Sequence, residues 1–271
     1  MIRRSVAVDG VQASYLTAGV EGPLVLLLHG TYWSRVWAPV LDRLAEAGLR
    51  PVAVDFPGCG RSEGELTLET AAVPALAGWL ERFAGALGAE EPLLVAGHDI
   101  GGAVAQHVLA AGGLDVARLA LVNSVTYDSW PVPGVARFRD PEVVAAVTTE
   151  ELVEARRVAV TKAAARPLTA SELEEYLSPW HDLRVGRSWM ALAGAADPRY
   201  TLDLLPALRE SSAPKLLVWG EDDEFQPVTY AERLAAEVPA CTLVRVPDAG
   251  HIPMENDPDR VAGALAGFFL S

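Results

Sequence analysis

The chain has 271 residues, enough for one large hydrophobic core, and about half of them are hydrophobic. A formal net charge of −14 and scattered basic residues argue against binding to nucleic acid or to an anionic membrane surface. The amino terminus turns polar at Asp9-Gly10 before a signal-peptide core develops, and no apolar run reaches transmembrane length. Cys59 and Cys241 have neither metal-binding nor redox spacing. We therefore expect a globular, cytoplasmic protein with reduced thiols.

Short apolar runs followed by turn-forming residues recur along the chain, which is typical of buried parallel strands. They cover residues 24–28, 51–54, 93–96, 119–122, 215–219 and 242–246. Segments with helical spacing lie between them and supply the crossovers that a parallel sheet requires. These segments are residues 40–48, 68–87, 103–111 and 230–237. The alternation predicts an α/β fold.

The alternation stops between residues 126 and 208, where prolines separate stretches of helical pattern and no strand-like run occurs. The predicted helices in this segment are 141–165, 170–177 and 183–196. Thr169-Ala-Ser-Glu172 has the arrangement of an amino-terminal capping box. We expect a core domain formed by residues 1–125 and 209–271, with residues 126–208 inserted as a helical cap subdomain.

The most specific motif is a buried strand that runs through a tight turn into a helix. Residues 94–102 read Leu-Val-Ala-Gly-His-Asp-Ile-Gly-Gly. Gly97, Gly101 and Gly102 fit a nucleophile elbow, in which a strained turn presents one side chain and the helix passes close to the strand. Asp99 occupies the position where hydrolases more often have serine. The alternative is that Asp99 only caps the following helix.

With the rest of the chain, this motif resembles the alpha/beta-hydrolase superfamily, specifically its epoxide hydrolase and haloalkane dehalogenase branch. Leu28-His-Gly30 resembles the oxyanion loop of that family, and residues 55–62 resemble its signature after the fourth strand. Ala249-Gly-His-Ile-Pro-Met254 resembles its catalytic histidine loop. The resemblance covers nearly the whole chain and implies a mostly parallel central sheet flanked by helices, with an inserted helical cap.

The resemblance implies a catalytic acid after the seventh strand. Asp222 and Asp223 both lie there, and we choose Asp223 because the family places the acid three residues after a strand-terminating glycine, here Gly220. Some dehalogenases carry this acid after the sixth strand instead, where the chain offers only Asn123. We therefore interpret Asp222 as a solvated loop carboxylate.

His251 is the one histidine with catalytic context, because it lies in the histidine loop. His29 and His98 belong to the other motifs and are expected to be structural. His107 falls in the helix after the elbow. His181 falls in the predicted cap, which leaves a role in substrate binding open.

In the implied mechanism Asp99 displaces a leaving group from a saturated carbon and forms an alkyl ester. His251 then deprotonates the water that attacks this ester. The backbone N–H groups of Thr31 and Ile100 are predicted to form the oxyanion hole. The predicted catalytic residues are thus Asp99, His251 and Asp223, with no metal and no cofactor.

The chain departs from each subfamily in the residues that activate the leaving group. Haloalkane dehalogenases place a halide-binding tryptophan after the nucleophile and commonly an asparagine after His-Gly, where this chain has Ile100 and Thr31. Fluoroacetate dehalogenases carry arginine at the positions of Ile100 and Ala103. Epoxide hydrolases usually protonate the epoxide with two cap tyrosines, one in a Trp-Tyr pair whose nearest equivalent is Trp189-Met190.

Aromatic side chains and one histidine provide the candidates for substrate binding, although each could equally be core packing. They are Tyr32, Trp33, Tyr127, Tyr176, Trp180, His181 and Trp189. We interpret the chain as an epoxide hydrolase acting on a hydrophobic or aromatic metabolite. A haloalkane-type dehalogenase, an ester, lactone or C–C bond hydrolase, and a non-catalytic binding protein are the alternatives. The expected partners are a small hydrophobic substrate and water, not nucleic acid or membrane, and a homodimer is left open.

Overall fold

Eight strands of the described residues, 1–89 and 92–271 in this computed structural model, form one sheet. They are β1 (Ile2–Val8), β2 (Val11–Thr17), β3 (Leu24–Leu28), β4 (Arg50–Val54), β5 (Leu93–Asp99), β6 (Val116–Ser124), β7 (Lys215–Gly220) and β8 (Cys241–Val246). Their order across the sheet is β1-β2-β4-β3-β5-β6-β7-β8. All neighbouring pairs from β4 to β8 are parallel, and β2 pairs antiparallel with both β1 and β4.

The six predicted parallel strands are confirmed, and so is the α/β fold. Strands β3 to β7 are almost entirely buried because helices cover both faces of the sheet. The edge strand β8 differs from the prediction, since only Val246 of its six residues is fully buried. An edge strand has a neighbour on one side only, which explains this exposure.

The sequence analysis missed the hairpin β1–β2. Its turn residues Asp9 and Gly10 have φ values of 52° and 81°, the left-handed backbone that a two-residue hairpin turn requires. Strand β1 is mostly exposed and so lacks a continuous apolar run. The Asp-Gly pair was the available signal for this hairpin.

Twelve helices of the described chain surround the sheet or lie in the segment 126–208. They are α1 (Ala38–Glu46), α2 (Val73–Ala86), α3 (Ile100–Ala111), α4 (Pro141–Ala146), α5 (Thr149–Ala164), α6 (Ala170–Leu177), α7 (Leu183–Gly194), α8 (Arg199–Leu202), α9 (Leu205–Glu210), α10 (Val228–Glu237), α11 (Pro253–Asn256) and α12 (Pro258–Phe269). None of them is long and apolar enough to cross a bilayer.

Most predicted helices are displaced by two or three residues at one or both ends, and two differ by more. Helix α2 begins at Val73 rather than at residue 68, because Thr67 and Thr70 form a hydrogen-bonded turn ahead of it. The predicted helix 141–165 is interrupted at Val147, and α5 starts with a capping box formed by Thr148 and Glu151. The capping box predicted at Thr169 and Glu172 is confirmed at the start of α6.

The segment 126–208 contains helices α4 to α8 and the start of α9, with no strand among its residues. It lies beside the carboxyl ends of the parallel strands, since Trp189 donates to the carbonyl of Thr31 after β3, and Ile252 after β8 donates to the carbonyl of Ala163. We retain the interpretation of this segment as a cap on a core formed by the rest of the chain.

The start of α3 packs directly on the end of β3. A Cβ atom on Gly101 would lie 2.5 Å from the carbonyl oxygen of His29 and 2.6 Å from that of Leu28. Both contacts are with backbone, so a side chain there could not be accommodated by a rotamer change. This close approach positions the β5–α3 turn against the loop that follows β3.

We expect Gly101→Ala to lower the free energy of unfolding by roughly 1–3 kcal/mol, the usual cost of overpacking a rigid core. Gly263→Ala is the matched control, since Gly263 lies within α12 and a Cβ there meets open space. The control should raise the stability by about 0.5–1 kcal/mol through helix propensity. Urea unfolding of both variants measures the difference, and equal stabilities would contradict the packing argument.

Candidate active site

Asp99 lies on the strained turn between β5 and α3. Its φ and ψ angles are 54° and −127°, a conformation that non-glycine residues rarely adopt. The carboxylate makes no capping hydrogen bond with α3, which removes the alternative that Asp99 serves as a helix cap. Instead its Oδ2 atom accepts hydrogen bonds from the backbone N–H and the side-chain hydroxyl of Thr31, at 2.8 and 2.7 Å.

The two amides predicted as an oxyanion hole border the same small space. The N–H of Thr31 points at Asp99 Oδ2. A Cβ on Gly30 would lie 2.4 Å from that oxygen and 2.5 Å from the backbone nitrogen of Ile100. Glycine at position 30 therefore lets the loop after β3 approach the Asp99 turn closely enough for Thr31 to reach the carboxylate.

His251 and Asp223 form a buried pair beside this turn. The Nδ1 atom of His251 lies 2.8 Å from Asp223 Oδ2, and His251 is only 3% exposed. Burial opposes protonation, but the negative charges of Asp223 and Asp99 outweigh it and raise the pKa of His251 above its usual value. Because the Nδ1–H of His251 donates to Asp223, the Nε2 atom of the ring is left to exchange a proton with a reactant.

Three further hydrogen bonds fix the Asp223 carboxylate. Its Oδ1 atom accepts from the backbone N–H groups of Phe225 and Gln226, at 2.7 and 3.0 Å. Its Oδ2 atom also accepts from the side-chain amide of Asn123, at 2.7 Å. Burial raises the pKa of Asp223, but the charge of His251 and these hydrogen-bond donors lower it by more. The pKa of Asp223 is therefore below its usual value. Asp222 is exposed and makes only a backbone contact here.

Asn123 has a supporting role that sequence reasoning missed. It lies at the buried carboxyl end of β6, one residue before Ser124, and its Oδ1 atom accepts from the backbone N–H of Gly220 at 3.0 Å. Its φ of 40° is a conformation that asparagine tolerates better than most residues. The available indication was its place in the sequence, since Asn123 lies after the sixth strand, where some dehalogenases carry the catalytic acid.

His29 and His98 hold the loops of the site, as expected for structural histidines. His29 Nε2 accepts from the backbone N–H of Phe56, so its Nδ1–H donates to the carbonyl of Gly30. His98 Nε2 lies 2.8 Å from the carbonyl oxygen of His251. Burial, with the charge of His251, lowers the pKa of His98 to about 4, so it is neutral at pH 7 and donates to this carbonyl.

Three of the predicted substrate-binding residues, Tyr32, Trp180 and Trp189, lie together around Arg156. The guanidinium carbon of Arg156 is 5.3, 4.7 and 4.6 Å from their ring centroids, respectively. The Tyr32 ring centroid is also 6.1 Å from that of His251. This aromatic cage, formed by Tyr32, Trp180 and Trp189, is thus adjacent to the catalytic pair.

The other four predicted substrate-binding residues are not part of this aromatic cage, and their polar groups are bonded to other partners. His181 is exposed and pairs with Glu174 on the surface at 3.5 Å. The hydroxyl of Tyr127 donates to Glu237 of α10 at 3.1 Å. The remaining two are bonded within the core. Tyr176 donates its hydroxyl to Glu255 at 2.8 Å, and Trp33 donates its indole N–H to the backbone of Tyr176 at 3.1 Å.

Arg156 is the second residue that sequence reasoning missed. It is 6% exposed, and its Nη2 atom donates to the carbonyl oxygen of Thr31 at 3.2 Å. Within α5 it lies on the buried face with Leu152 and Val160, four residues to either side. A charged residue at that position of an apolar helical stripe was the available signal.

The helical segment is tied to the histidine loop by a polar cluster centred on Glu255. The Glu255 carboxylate is buried and forms ion pairs with Arg35 and Arg166, besides accepting the Tyr176 hydroxyl. The backbone N–H of Ile252 also donates to the carbonyl of Ala163, at 3.0 Å. The end of α5 and the loop carrying His251 are thus held together.

Comparison with known proteins gives matches over most of the chain. Residues 25–264 match the model of the alpha/beta hydrolase family. The chain is 29% identical over 261 residues to haloalkane dehalogenase 2 of Mycobacterium tuberculosis, covering 90% of this chain and 87% of that one. It is also 29% identical over 241 residues to a 2-hydroxy-6-oxononadienedioate/2-hydroxy-6-oxononatrienedioate hydrolase of Klebsiella pneumoniae, covering 84% and 80%.

Among solved structures, an alpha/beta hydrolase fold protein from Burkholderia ambifaria superposes with a TM-score of 0.84. That protein is 24% identical to this chain, and the match covers 97% of this chain and 96% of the other. At this identity the likeness concerns the fold.

We expect Asp223→Asn to lower the pKa of His251, because burial then acts on the imidazole without its main compensating charge. Asp222→Asn is the matched control, since it removes the adjacent but exposed carboxylate. The pH titration of the His251 ring resonance by NMR measures both, with His251→Gln providing the assignment. An unchanged pKa in Asp223→Asn, or an equal shift in the control, would contradict this electrostatic account.

Proposed function

Because the chain belongs to the alpha/beta hydrolase family, we propose that it is a hydrolase whose nucleophile is the Asp99 carboxylate. The observation that carries the proposal is the asymmetry of this carboxylate. Oδ2 is held by the two donors of Thr31, which leaves Oδ1 as the atom that attacks. A carboxylate needs no general base to become nucleophilic, because it is already ionised near neutral pH.

In the first step Asp99 Oδ1 attacks a saturated carbon of the substrate. A bond forms between Oδ1 and that carbon, and the bond from that carbon to the leaving group breaks with its electron pair. The product is an alkyl ester of Asp99. With an epoxide, the leaving oxygen stays attached to the rest of the molecule and takes up a proton to become a hydroxyl group.

In the second step His251 Nε2 removes a proton from water, and the resulting hydroxide attacks Cγ of Asp99. The charge that develops on Oδ2 is stabilised by the N–H of Thr31, already 2.8 Å from this atom, and by the N–H of Ile100. The bond between Cγ and Oδ1 then breaks, and the alcohol leaves with the proton returned from imidazolium. The oxygen of water remains in Asp99, while Oδ1 departs in the product.

We favour an epoxide as the substrate because a hydroxyl donor lies beside the site. The Tyr32 ring is close to His251, and burial raises the pKa of Tyr32, so the hydroxyl remains protonated and able to donate. Tyr127 and Tyr176 are less suited, since both hydroxyls are bonded to glutamates. Tyr32 would therefore take the part that epoxide hydrolases give to cap tyrosines.

Dehalogenation is the second candidate, supported by the name of the Mycobacterium tuberculosis relative. Against it stand the indole donors near the site. The N–H of Trp189 donates to the carbonyl of Thr31 at 3.0 Å, and that of Trp33 is bonded to Tyr176. A halide ion would have to displace these carbonyl groups to be bound by the indole of Trp189 or of Trp33. We therefore favour an epoxide over a haloalkane as the substrate.

The reacting groups are largely buried, with Asp99 6% and His251 3% exposed. The segment 126–208 contributes Arg156, Trp180 and Trp189 to the cover over these groups, so we propose that substrate enters by a displacement of this segment. A closed site also strengthens the electrostatic interactions that the second step requires.

We expect His251→Gln to accumulate the alkyl ester, because the first step does not need the imidazole and the second does. Incubation with phenyloxirane followed by intact-protein mass spectrometry should show an added mass equal to the whole epoxide. A 1-halo-2-phenylethane should add its mass less that of the hydrogen halide if the enzyme is a dehalogenase. Peptide analysis should place the adduct on Asp99.

The controls separate chemistry from non-specific alkylation. Asp222→Asn should retain wild-type turnover, and Asp99→Asn combined with His251→Gln should accumulate no adduct. An equal amount of adduct in that double variant and in His251→Gln, or full turnover by Asp99→Asn, would refute the nucleophile assignment.

A further inference from the structure

We propose that Arg156 is the recognition site for a carboxylate group on the substrate, so that the enzyme acts on epoxides that carry a carboxylate near the reacting carbon. This inference rests on the proposed function, because it concerns the substrate of the same site. It adds a polar requirement to a ligand that the sequence alone describes only as hydrophobic or aromatic.

Arg156 is a buried cation that forms no ion pair with a carboxylate in the part of the chain that the structure describes. Burial lowers its pKa, and the nearby charge of Asp99 offsets this only in part. Arg35, by comparison, is paired with the buried carboxylate of Glu255 at 2.9 Å. The guanidinium of Arg156 instead meets the carbonyl of Thr31 and the Tyr32 hydroxyl. Buried charges are normally paired, since an uncompensated one costs several kcal/mol by a rough estimate.

The free hydrogen-bonding edge of Arg156 matches a carboxylate. Its Nε atom is fully buried and has no hydrogen-bond partner among the described residues. Nε and Nη2 lie on the same edge of the guanidinium, where two parallel N–H groups can bind both oxygens of a carboxylate. Nη2 carries two hydrogens and donates to one acceptor, the carbonyl of Thr31, so the N–H groups of this edge exceed the acceptors that the described residues supply.

The aromatic cage fixes the orientation of this edge. Tyr32, Trp180 and Trp189 contact the guanidinium from three helices or loops, and none of them offers a negative charge. Cation–π contacts of this kind hold the cation without neutralising it. Arginine is preferred over lysine for such stacked, bidentate sites.

The position relative to the nucleophile sets the substrate class. Arg156 Nη2 is bonded to the carbonyl of Thr31, and the amide of the same residue is bonded to Asp99. An anionic substrate would otherwise be repelled by Asp99 and Asp223, and a cation at this distance offsets that repulsion. The ligand is therefore a small molecule with an aryl or alkyl body, an epoxide, and a carboxylate close to it.

Equilibrium binding tests the anion site without turnover. The probes are 3-phenylpropanoate and 3-phenylpropanamide, which share shape but differ in charge, and isothermal titration calorimetry measures their dissociation constants. Wild-type protein should bind the carboxylate about 100-fold more tightly than the amide, the usual size of a lost charged hydrogen bond. Arg156→Met should abolish this preference, and Arg156→Lys should leave a smaller one.

Arg157→Met is the matched control, since Arg157 is the next residue of α5 but pairs with Glu154 on the surface. It should keep the full preference for the carboxylate. Equal binding of both probes by wild type, no measurable binding of the carboxylate, or an unaltered preference in Arg156→Met would overturn the proposal. Near-ultraviolet circular dichroism of Arg156→Met checks that the aromatic cage is still packed.

Turnover provides the second readout, with 3-phenyloxirane-2-carboxylate and the corresponding carboxamide as substrates. The ratio of their kcat/KM values should fall about 100-fold in Arg156→Met, whatever loss is common to both. An equal loss for both substrates would show that Arg156 only supports Tyr32 or the fold, and would overturn the proposal. A persistent binding preference without ester formation on Asp99 would refute the proposed chemistry while leaving the anion site intact.

Discussion

The site depends on the close approach of two backbone segments, the loop after β3 and the turn between β5 and α3. Gly30 and Gly101 allow this approach, because a Cβ at either position would overlap atoms of the opposite segment. The approach brings the N–H of Thr31 to Asp99 Oδ2 and so distinguishes the two oxygens of one carboxylate. In the proposed reaction Oδ1 therefore attacks the substrate, and Oδ2 takes up the negative charge of the second step.

The parallel core could be read from the sequence because its strands are buried on both faces and therefore form uninterrupted apolar runs, such as residues 24–28. The hairpin β1–β2 could not be found by the same rule, since Ile2–Val8 is exposed along most of its length. Helix bounds were displaced where side chains cap the backbone, as at Thr148. Local hydrogen bonds of this kind outweigh hydrophobic periodicity over a few residues.

Asp99, Asp223 and His251 were predictable because each follows a strand end within a recognisable local motif. Asn123 and Arg156 were not, since their importance comes from residues far along the chain. Asn123 acts on Asp223, and Arg156 reaches Thr31 from α5, 125 positions away. The first contact depends on the pairing of β6 with β7, and the second on how the segment 126–208 folds over the core. Neither arrangement is specified by a local pattern.

The charges of the site form a consistent set. Asp223 raises the proton affinity of His251, and Arg156 opposes it, as its positive charge lowers the pKa of His251. A carboxylate bound to Arg156, as we propose, would offset this positive charge. Binding of an anionic substrate is therefore expected to favour the imidazolium that the second step generates.

The central claim is that water delivers its oxygen to Asp99 and that the product carries away an oxygen of the enzyme. A single turnover of 3-phenyloxirane-2-carboxylate in oxygen-18 water, with enzyme in excess, tests it by mass analysis of the product and of the peptide containing Asp99. The account predicts an unlabelled diol and one oxygen-18 atom in Asp99. A labelled diol with unlabelled Asp99 would mean direct attack of water on the substrate and would contradict the covalent carboxylate mechanism.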